Sequence, residues 1–215
     1  MKPYKTLLRR SEEEYIIQKS RFIGQAAPIG TQEEAIAVVA QARQEHRNAS
    51  HHCFAYIIGQ NAGIMRYSDD GEPSGTAGLP IMEVLKARGV VNCVVVVTRY
   101  FGGILLGAGG LVRAYSHSCA LALTAAVVCE MLPTQHWLFE VGYPVWDRVQ
   151  HTLKTMPVKV LQIDYSVLVS FTLQCRSADS DQVCAELQRV TDGRLESLLE
   201  AEDYQPWDEV PTLEV

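Results

Sequence analysis

An uninterrupted run of four valines, at residues 94–97, constrains the fold of this chain more than any other feature. A strand with one solvent-facing side would alternate apolar and polar residues, so this run predicts a strand buried on both faces at the centre of a sheet. Glycines then crowd residues 102–110, which we call the glycine junction. They are Gly102, Gly103, Gly107, Gly109 and Gly110. A strand-to-helix junction of this kind combines tight backbone geometry with unpaired N–H groups at a helix start, so we expect the candidate site here.

The residues around the glycine junction suggest what it would bind. Arg99 precedes the junction, and Arg113 lies near the start of the Ala- and Leu-rich helix that follows. We predict an anion cradle in which both guanidinium groups contact phosphate and Tyr100 offers a face for base stacking. Close packing of the helix on the sheet would also require glycines, and the chain has neither a GxGxxG fingerprint nor a P-loop lysine here. Both interpretations stay open at this point.

A second polar stretch, residues 68–78, lies upstream, and we call it the acidic loop. Its candidate site residues are Asp69, Asp70, Glu72, Ser74 and Thr76. Three carboxylates within four positions suit magnesium binding or acid–base chemistry. The alternative is a plain turn, in which the serine or the threonine caps the next helix.

Two adjacent histidines beside a cysteine, His51, His52 and Cys53, invite a metal-site interpretation because imidazole and thiolate are zinc ligands. Neighbouring residues on a strand point to opposite faces, so these three side chains cannot easily share one ion. We therefore predict no metal here and treat His51 as a hydrogen-bonding candidate next to the site.

Composition excludes several classes of protein. Hydrophobic residues make up 47% of the 215 residues and the mean hydropathy is zero, which is typical of a globular protein. No apolar run reaches transmembrane length and the first ten residues lack a signal-peptide core, so we expect a cytoplasmic protein with no membrane partner. The six cysteines are scattered and contain no CxxC pair, which predicts reduced thiols rather than disulfides or structural zinc.

Charge is distributed unevenly along the chain. Residues 1–132 contain 13 Lys and Arg against 11 Asp and Glu, a net charge of +2, whereas residues 133–215 contain 6 against 14, a net charge of −8. A polyanion is therefore expected to meet the first part of the chain.

The order of elements predicts two α+β domains. Alternating segments at residues 12–18 and 21–27 predict an antiparallel strand pair, and Thr31 with Glu34 forms a capping box before a helix. After a linker at 132–134, residues 135–208 show the order βαββαβ, which is the ferredoxin-like motif. We expect domains at 1–132 and 135–208, followed by a loosely held tail at 209–215.

Two long motifs carry a family resemblance. SDDGEPSGTAGLPIMEVL at residues 68–85 and VVVVTRYFGGILLGAGGLVRAY at residues 94–115 resemble the IMPACT/YigZ family, as does the upstream pattern of His51, Cys53, Ala55 and Tyr56. The resemblance covers roughly residues 10–130. The acidic second part is similar to the additional domain of the bacterial relatives.

The resemblance implies a fold and a cellular setting. The first domain would share the α/β sandwich of elongation factor G domain four, including a left-handed βαβ crossover, which is an exception to the usual handedness. The second would resemble domain five of the same factor. Eukaryotic relatives restrain a translation kinase by competing for its ribosome-bound activator. Many relatives carry a lysine where this chain has Leu105, which removes one cation from the junction.

These observations predict a translation-linked regulator, without a cofactor and without catalysis, that binds RNA or a ribosome-associated partner through the glycine junction. The alternative is an enzyme that holds a phosphorylated small molecule and magnesium with the same loop. A third hypothesis is a docking surface for a basic protein. It applies if the acidic loop adjoins Arg99, because its carboxylates would repel phosphate there.

Overall fold

The structure is a computed structural model that describes residues 1–207. The described residues divide into two compact units, Tyr4–Glu130 and residues 131–207 together with Met1–Pro3. Strands and helices are mixed in both, which confirms the α+β class. The described elements are β1 (Tyr4–Leu7), β2 (Ser11–Ile17), β3 (Ser20–Pro28), α1 (Gln32–Glu45), β4 (His51–Ile58), β5 (Ile64–Ser68), α2 (Gly78–Arg88), β6 (Cys93–Tyr100), α3 (Gly107–Ala126), β7 (Val128–Val141), α4 (Tyr143–Leu153), β8 (Val158–Tyr165), β9 (Val169–Arg176), α5 (Ser180–Val190) and β10 (Glu196–Pro206).

The sheet of the first unit has the order β2-β3-β6-β4-β5, and every neighbouring pair is antiparallel. The valine run lies in β6, the central strand, so the predicted central position is confirmed. Strands β3 and β4 both run antiparallel to β6 and are therefore parallel to each other, with α1 connecting them. This is the βαβ crossover that the family resemblance implies; its left hand stays a prediction.

Burial of both faces of β6 explains why its valines do not alternate with polar residues. Val94 and Val96 pack in a cluster with Val38 and Val39 of α1. Val95 and Val97 instead join the core that contains the apolar residues of α2 and α3. The first unit thus has three layers, with α1 on one face of the sheet and α2 and α3 on the other.

Local sequence signals set the ends of these helices. Thr31 accepts a hydrogen bond from the Glu34 backbone N–H while the Glu34 carboxylate reaches back to the cap, so the predicted capping box at the start of α1 is confirmed. Gly89 ends α2 in the left-handed conformation, with φ of +64°, which a residue without Cβ adopts at little cost.

The second unit contains the predicted βαββαβ order. Its strands follow the order β10-β7-β9-β8, and these neighbours are antiparallel. Phe139 and Phe171 stack at the centre of its core, with Trp146 of α4 against them. The ferredoxin-like topology is confirmed.

The predicted linker at residues 132–134 is wrong, because these residues lie inside the continuous strand β7. Pro133 suggested a break, but a strand tolerates proline where its missing N–H is not needed. Its carbonyl accepts a hydrogen bond from the Ser177 backbone N–H at 2.8 Å. The predicted tail at 209–215 lies outside the described residues.

Candidate functional site

Arg99, predicted as a phosphate contact, is buried at the end of β6. Only 5% of its surface is exposed, and its Nη1 donates to Glu72 Oε1 at 2.7 Å. Its guanidinium carbon also lies over the rings of Phe22 and Phe101, 5.4 and 5.5 Å from their centroids. The prediction that Arg99 reaches phosphate is therefore not supported, because the acidic loop covers it and neutralises its charge.

Glu72 is the centre of a buried hydrogen-bond network. Besides Arg99, the Tyr115 hydroxyl of α3 donates to Glu72 Oε1 at 2.8 Å. His51 of β4 approaches the other carboxylate oxygen, with its Nε2 3.9 Å from Glu72 Oε2. The Nδ1–H of His51 donates a hydrogen bond to the Asp70 carbonyl oxygen at 2.8 Å. The network thus ties the acidic loop to β4, β6 and α3.

Cys53 borders this network and is buried. Its Sγ lies 3.0 Å from the Asp69 carbonyl oxygen and 3.4 Å from the Tyr115 hydroxyl oxygen. Burial raises the pKa of the Cys53 thiol to about 12 and also raises the pKa of Tyr115. Because the thiolate is the reactive form, this raised pKa disfavours a reactive Cys53 at neutral pH.

Asp69 caps α2 from outside the helix. Its carboxylate accepts hydrogen bonds from the backbone N–H groups of Gly75 at 2.8 Å, Ala77 at 3.1 Å and Gly78 at 2.8 Å. The predicted cap by Ser74 or Thr76 is wrong. The N-cap position is Ala77, which makes no side-chain cap, and the Thr76 hydroxyl donates to the Pro73 carbonyl instead.

Asp70 completes the loop's attachments. Its Oδ1 accepts from Arg43 of α1 at 2.7 Å, and its Oδ2 accepts from the His52 backbone N–H at 2.7 Å. Burial lowers the pKa of the neighbouring His52, which favours its neutral form. All three carboxylates of the acidic loop therefore have protein partners, and we call this set of contacts the acidic clasp.

The glycines of the junction divide between the two interpretations. A Cβ on Gly102 would lie 2.1 Å from the backbone carbon of Lys19, and the Gly102 N–H donates to Ser20 Oγ, so this glycine serves close packing. A Cβ on Gly110 would meet Leu106 at 3.0 Å. Apart from the adjacent residues and the helix's own backbone, no atom lies within 4 Å of such a Cβ on Gly103, Gly107 or Gly109. These three leave the backbone accessible.

The accessible part of the junction leads into an uncapped helix. The N-cap of α3, Leu106, offers no side-chain hydrogen bond, and the first-turn N–H groups of an α-helix have no intrahelical acceptor. Leu105 is 85% exposed beside them. Tyr100 is less available than predicted, because its hydroxyl lies 3.1 Å from His46 Nδ1 and Arg21 covers its ring at 5.3 Å.

Arg113 lines an open groove between α2 and α3 that we call the basic groove, and Arg99 is not among its lining residues. The groove has a volume of about 640 Å³, and its lining residues are Tyr15, Val84, Ala87, Arg88, Val112, Arg113, Ser116, His117 and Ala120. This set contains two arginines and a histidine but no carboxylate. Among the residues that the structure describes, neither arginine has a side-chain ion pair or hydrogen bond.

The sequence directed attention to Arg113 but missed Arg88. Arg88 is the last residue of α2 and resembles an ordinary favourable charge at a helix C-terminus. Its place in the basic groove follows from the packing of α2 against α3, which helical periodicity does not reveal.

A two-domain α+β protein with an acidic clasp and a glycine junction is a specific combination, and comparisons with known proteins identify its family. Residues 18–123 match the family described as the Impact N-terminal domain, and residues 139–194 match a domain of unknown function, DUF1949. The chain is 37% identical to IMPACT family member YvyE of Bacillus subtilis, covering 89% of this chain and 88% of the relative. It is 35% identical to IMPACT family member YigZ of Escherichia coli, covering 85% and 90%. This chain belongs to the IMPACT family.

Two further comparisons define how far the likeness extends. A crystal structure of a hypothetical protein, 32% identical, covers 94% of this chain and all of its own, with a TM-score of 0.58. The mouse Protein IMPACT is 32% identical over 95 residues, which cover 42% of this chain and 29% of the mouse protein.

Within the described residues, no helix combines the length and apolarity needed to cross a membrane.

Proposed function

We propose that this protein is a translation-linked regulator that binds RNA through the phosphate backbone, at the basic groove and the accessible start of α3. Membership of the IMPACT family supports the link to translation. The observation that carries the proposal is the basic groove itself, in which Arg88, Arg113 and His117 lie together without a carboxylate. Cations without protein partners remain available for phosphate, whereas a paired cation such as Arg99 is not.

The shape of the basic groove favours a polymer over a small molecule. Small-ligand sites are concave and bury most of the ligand surface, whereas this groove is open along two helices. Phosphates along an RNA backbone can meet Arg113 and Arg88 in succession, and arginine forks bind phosphate oxygens in pairs. The uncapped first turn of α3 adds backbone N–H donors on the same helix as Arg113.

The contacts of the acidic clasp argue against the alternative of a magnesium-dependent enzyme. A magnesium ion needs carboxylate oxygens that are free to coordinate it. Asp69 already accepts three backbone N–H groups, Asp70 holds Arg43, and Glu72 holds Arg99 and Tyr115. Opening the acidic loop to metal would leave Arg99 buried without its partner.

RNA binding is tested by fluorescence anisotropy with a labelled structured RNA and a labelled single strand, at about 50 and 200 mM salt. Arg88→Ala/Arg113→Ala removes both arginines of the basic groove and is expected to weaken binding at least about tenfold at low salt. Arg47→Ala/Arg66→Ala is the matched control, because it removes the same charge from exposed positions elsewhere in the first unit. Equal affinities of the two double variants would contradict the proposal.

The link to translation needs a separate readout. Co-sedimentation of the protein with ribosomes on sucrose gradients, at the same two salt concentrations, reports whether the RNA that it binds is ribosomal. We expect wild type and control to co-sediment at low salt, and Arg88→Ala/Arg113→Ala to remain at the top of the gradient. Salt-resistant co-sedimentation that both double variants retain would indicate a protein partner instead.

A further inference from the structure

A group of metal-ligating side chains lies on the α1 side of the first unit's sheet, apart from the basic groove. Glu12 belongs to β2, Glu45 is the last residue of α1, and His46 follows it. One carboxylate oxygen from each glutamate and one ring nitrogen of His46 lie within 4.8 Å of one another. We propose that these three side chains, together with Gln25, bind a first-row divalent metal ion of the Mn²⁺ or Zn²⁺ type.

Both carboxylates already converge on one partially positive group. The Nε2 of Gln25 donates to Glu12 Oε2 at 2.8 Å and to Glu45 Oε2 at 3.0 Å. A cation between the two glutamates would interact with both charges at once. Gln25 can then rotate its amide and offer Oε1 as a further oxygen ligand.

The two ring nitrogens of His46 differ in their protein contacts. Its Nδ1 lies 3.1 Å from the Tyr100 hydroxyl oxygen, which can accept the Nδ1 proton and leave the lone pair on Nε2. Nε2 is buried and has no hydrogen-bond partner among the described residues. A buried polar atom without a partner costs free energy, and a metal bond would remove that cost.

The donor set and its spacing select the class of metal. Bonds of about 2.0 to 2.2 Å place donor atoms about 3 to 4 Å apart around one ion. The exposed glutamates can close this distance by rotating their side chains. Two carboxylates and one imidazole suit Mn²⁺ or Zn²⁺, whereas Mg²⁺ prefers oxygen ligands and water. A groove of about 300 Å³ gives solvent access to the two carboxylates and room for water ligands. Glu12, Gln25, Gln41 and Glu45 line it together with Arg10, and His46 does not belong to its lining.

Isothermal titration of the full chain with Mn²⁺ and with Zn²⁺ tests the site directly. We expect one site per chain in wild type and an affinity at least about tenfold weaker in Glu12→Gln/Glu45→Gln. Glu13→Gln/Glu33→Gln is the matched control, because it removes the same two charges from exposed positions on the same strand and helix. Its affinity is expected to equal that of wild type.

A spectroscopic titration distinguishes the histidine from nonspecific acidic binding. Co²⁺ bound to wild type is expected to give a visible absorption band that changes in His46→Gln, since the nitrogen ligand is lost. Far-UV circular dichroism checks that each variant is folded. Binding that Glu12→Gln/Glu45→Gln leaves unchanged, or no saturable binding of either ion in wild type, would overturn the proposal.

Discussion

The acidic clasp and the basic groove lie in the same unit and use charged residues in opposite ways. In the clasp, every carboxylate has a protein partner, and Arg99 is buried against Glu72. In the groove, Arg88 and Arg113 line an open surface together with His117. The acidic loop, which is the motif richest in chemical groups, thus holds the fold together. The side chains that are free to bind a ligand lie on helix surfaces that no sequence motif marks.

Breaking the clasp is expected to have the largest effect on stability. Glu72→Gln leaves the buried Arg99 guanidinium without its counter-charge, and we expect a loss of about 3 to 5 kcal/mol in the free energy of unfolding. Urea denaturation followed by circular dichroism measures it. Glu83→Gln is the control, because its ion pair with Lys86 is exposed and is worth less than about 1 kcal/mol. Similar losses in the two variants would mean that the clasp is not structural.

The two kinds of glycine in the junction predict opposite signs for one substitution. Gly102→Ala forces a Cβ into the Lys19 backbone and is expected to cost about 1 to 3 kcal/mol or more of stability. Gly109→Ala meets open space inside a helix and should stabilise by about 0.5 to 1 kcal/mol. Thermal unfolding of both variants measures the difference. If Gly102→Ala is as stable as wild type, Gly102 is not required for close packing.

The buried Cys53 thiol beside the clasp predicts a loss of stability at alkaline pH. Burial raises the pKa of Cys53 from 9.0 to about 12, so the folded state keeps its proton where the unfolded state loses it. This stabilising contribution is complete below about pH 9 and is lost as pH rises from about 9 to 12, by about 1.4 kcal/mol per pH unit. Denaturation between pH 9 and 11 should show a slope that is shallower in Cys53→Ala by about one proton. Equal slopes would contradict the raised pKa.

The substitution with the smallest expected effect on stability tests whether RNA reaches the glycine junction. Leu105→Lys adds a cation at a position that is 85% exposed, so stability should change by less than about 0.5 kcal/mol. If RNA phosphates reach the start of α3, the affinity should rise a few-fold and the slope of log K against log salt should steepen by about 0.7 to 0.9. Anisotropy titrations over a salt series measure both. An unchanged slope would confine the RNA to the basic groove.

Sequence patterns predicted the elements whose signals are local. The valine run located β6, Thr31 and Glu34 located the start of α1, and the βαββαβ order gave the topology of the second unit. Pro133 misled because proline signals a break locally, while the pairing of β7 with distant strands decides its conformation. The family motifs directed attention to the acidic loop and the glycine junction, and residue types alone could not separate packing from binding there.

The features that the sequence did not predict depend on contacts between elements that are distant in the chain. The burial of Arg99 depends on Glu72, 27 residues away, and the cap of α2 comes from Asp69, nine residues before Gly78. Arg88 joins Arg113 only through the packing of two helices. Glu12 of β2 lies close to Glu45 and His46 at the end of α1. No spacing rule in the sequence marks this proposed metal site either. Such pairings need the folded chain.

The most direct test of the account compares one paired and one unpaired arginine in the same unit. Arg43 is bound to Asp70 at 2.7 Å, whereas Arg113 lines the basic groove. The salt dependence of RNA affinity is measured for Arg43→Ala and Arg113→Ala beside wild type. The account predicts that Arg113→Ala lowers the slope by about 0.7 to 0.9 and that Arg43→Ala leaves it unchanged. Equal reductions in both variants, or a reduction in Arg43→Ala alone, would contradict it.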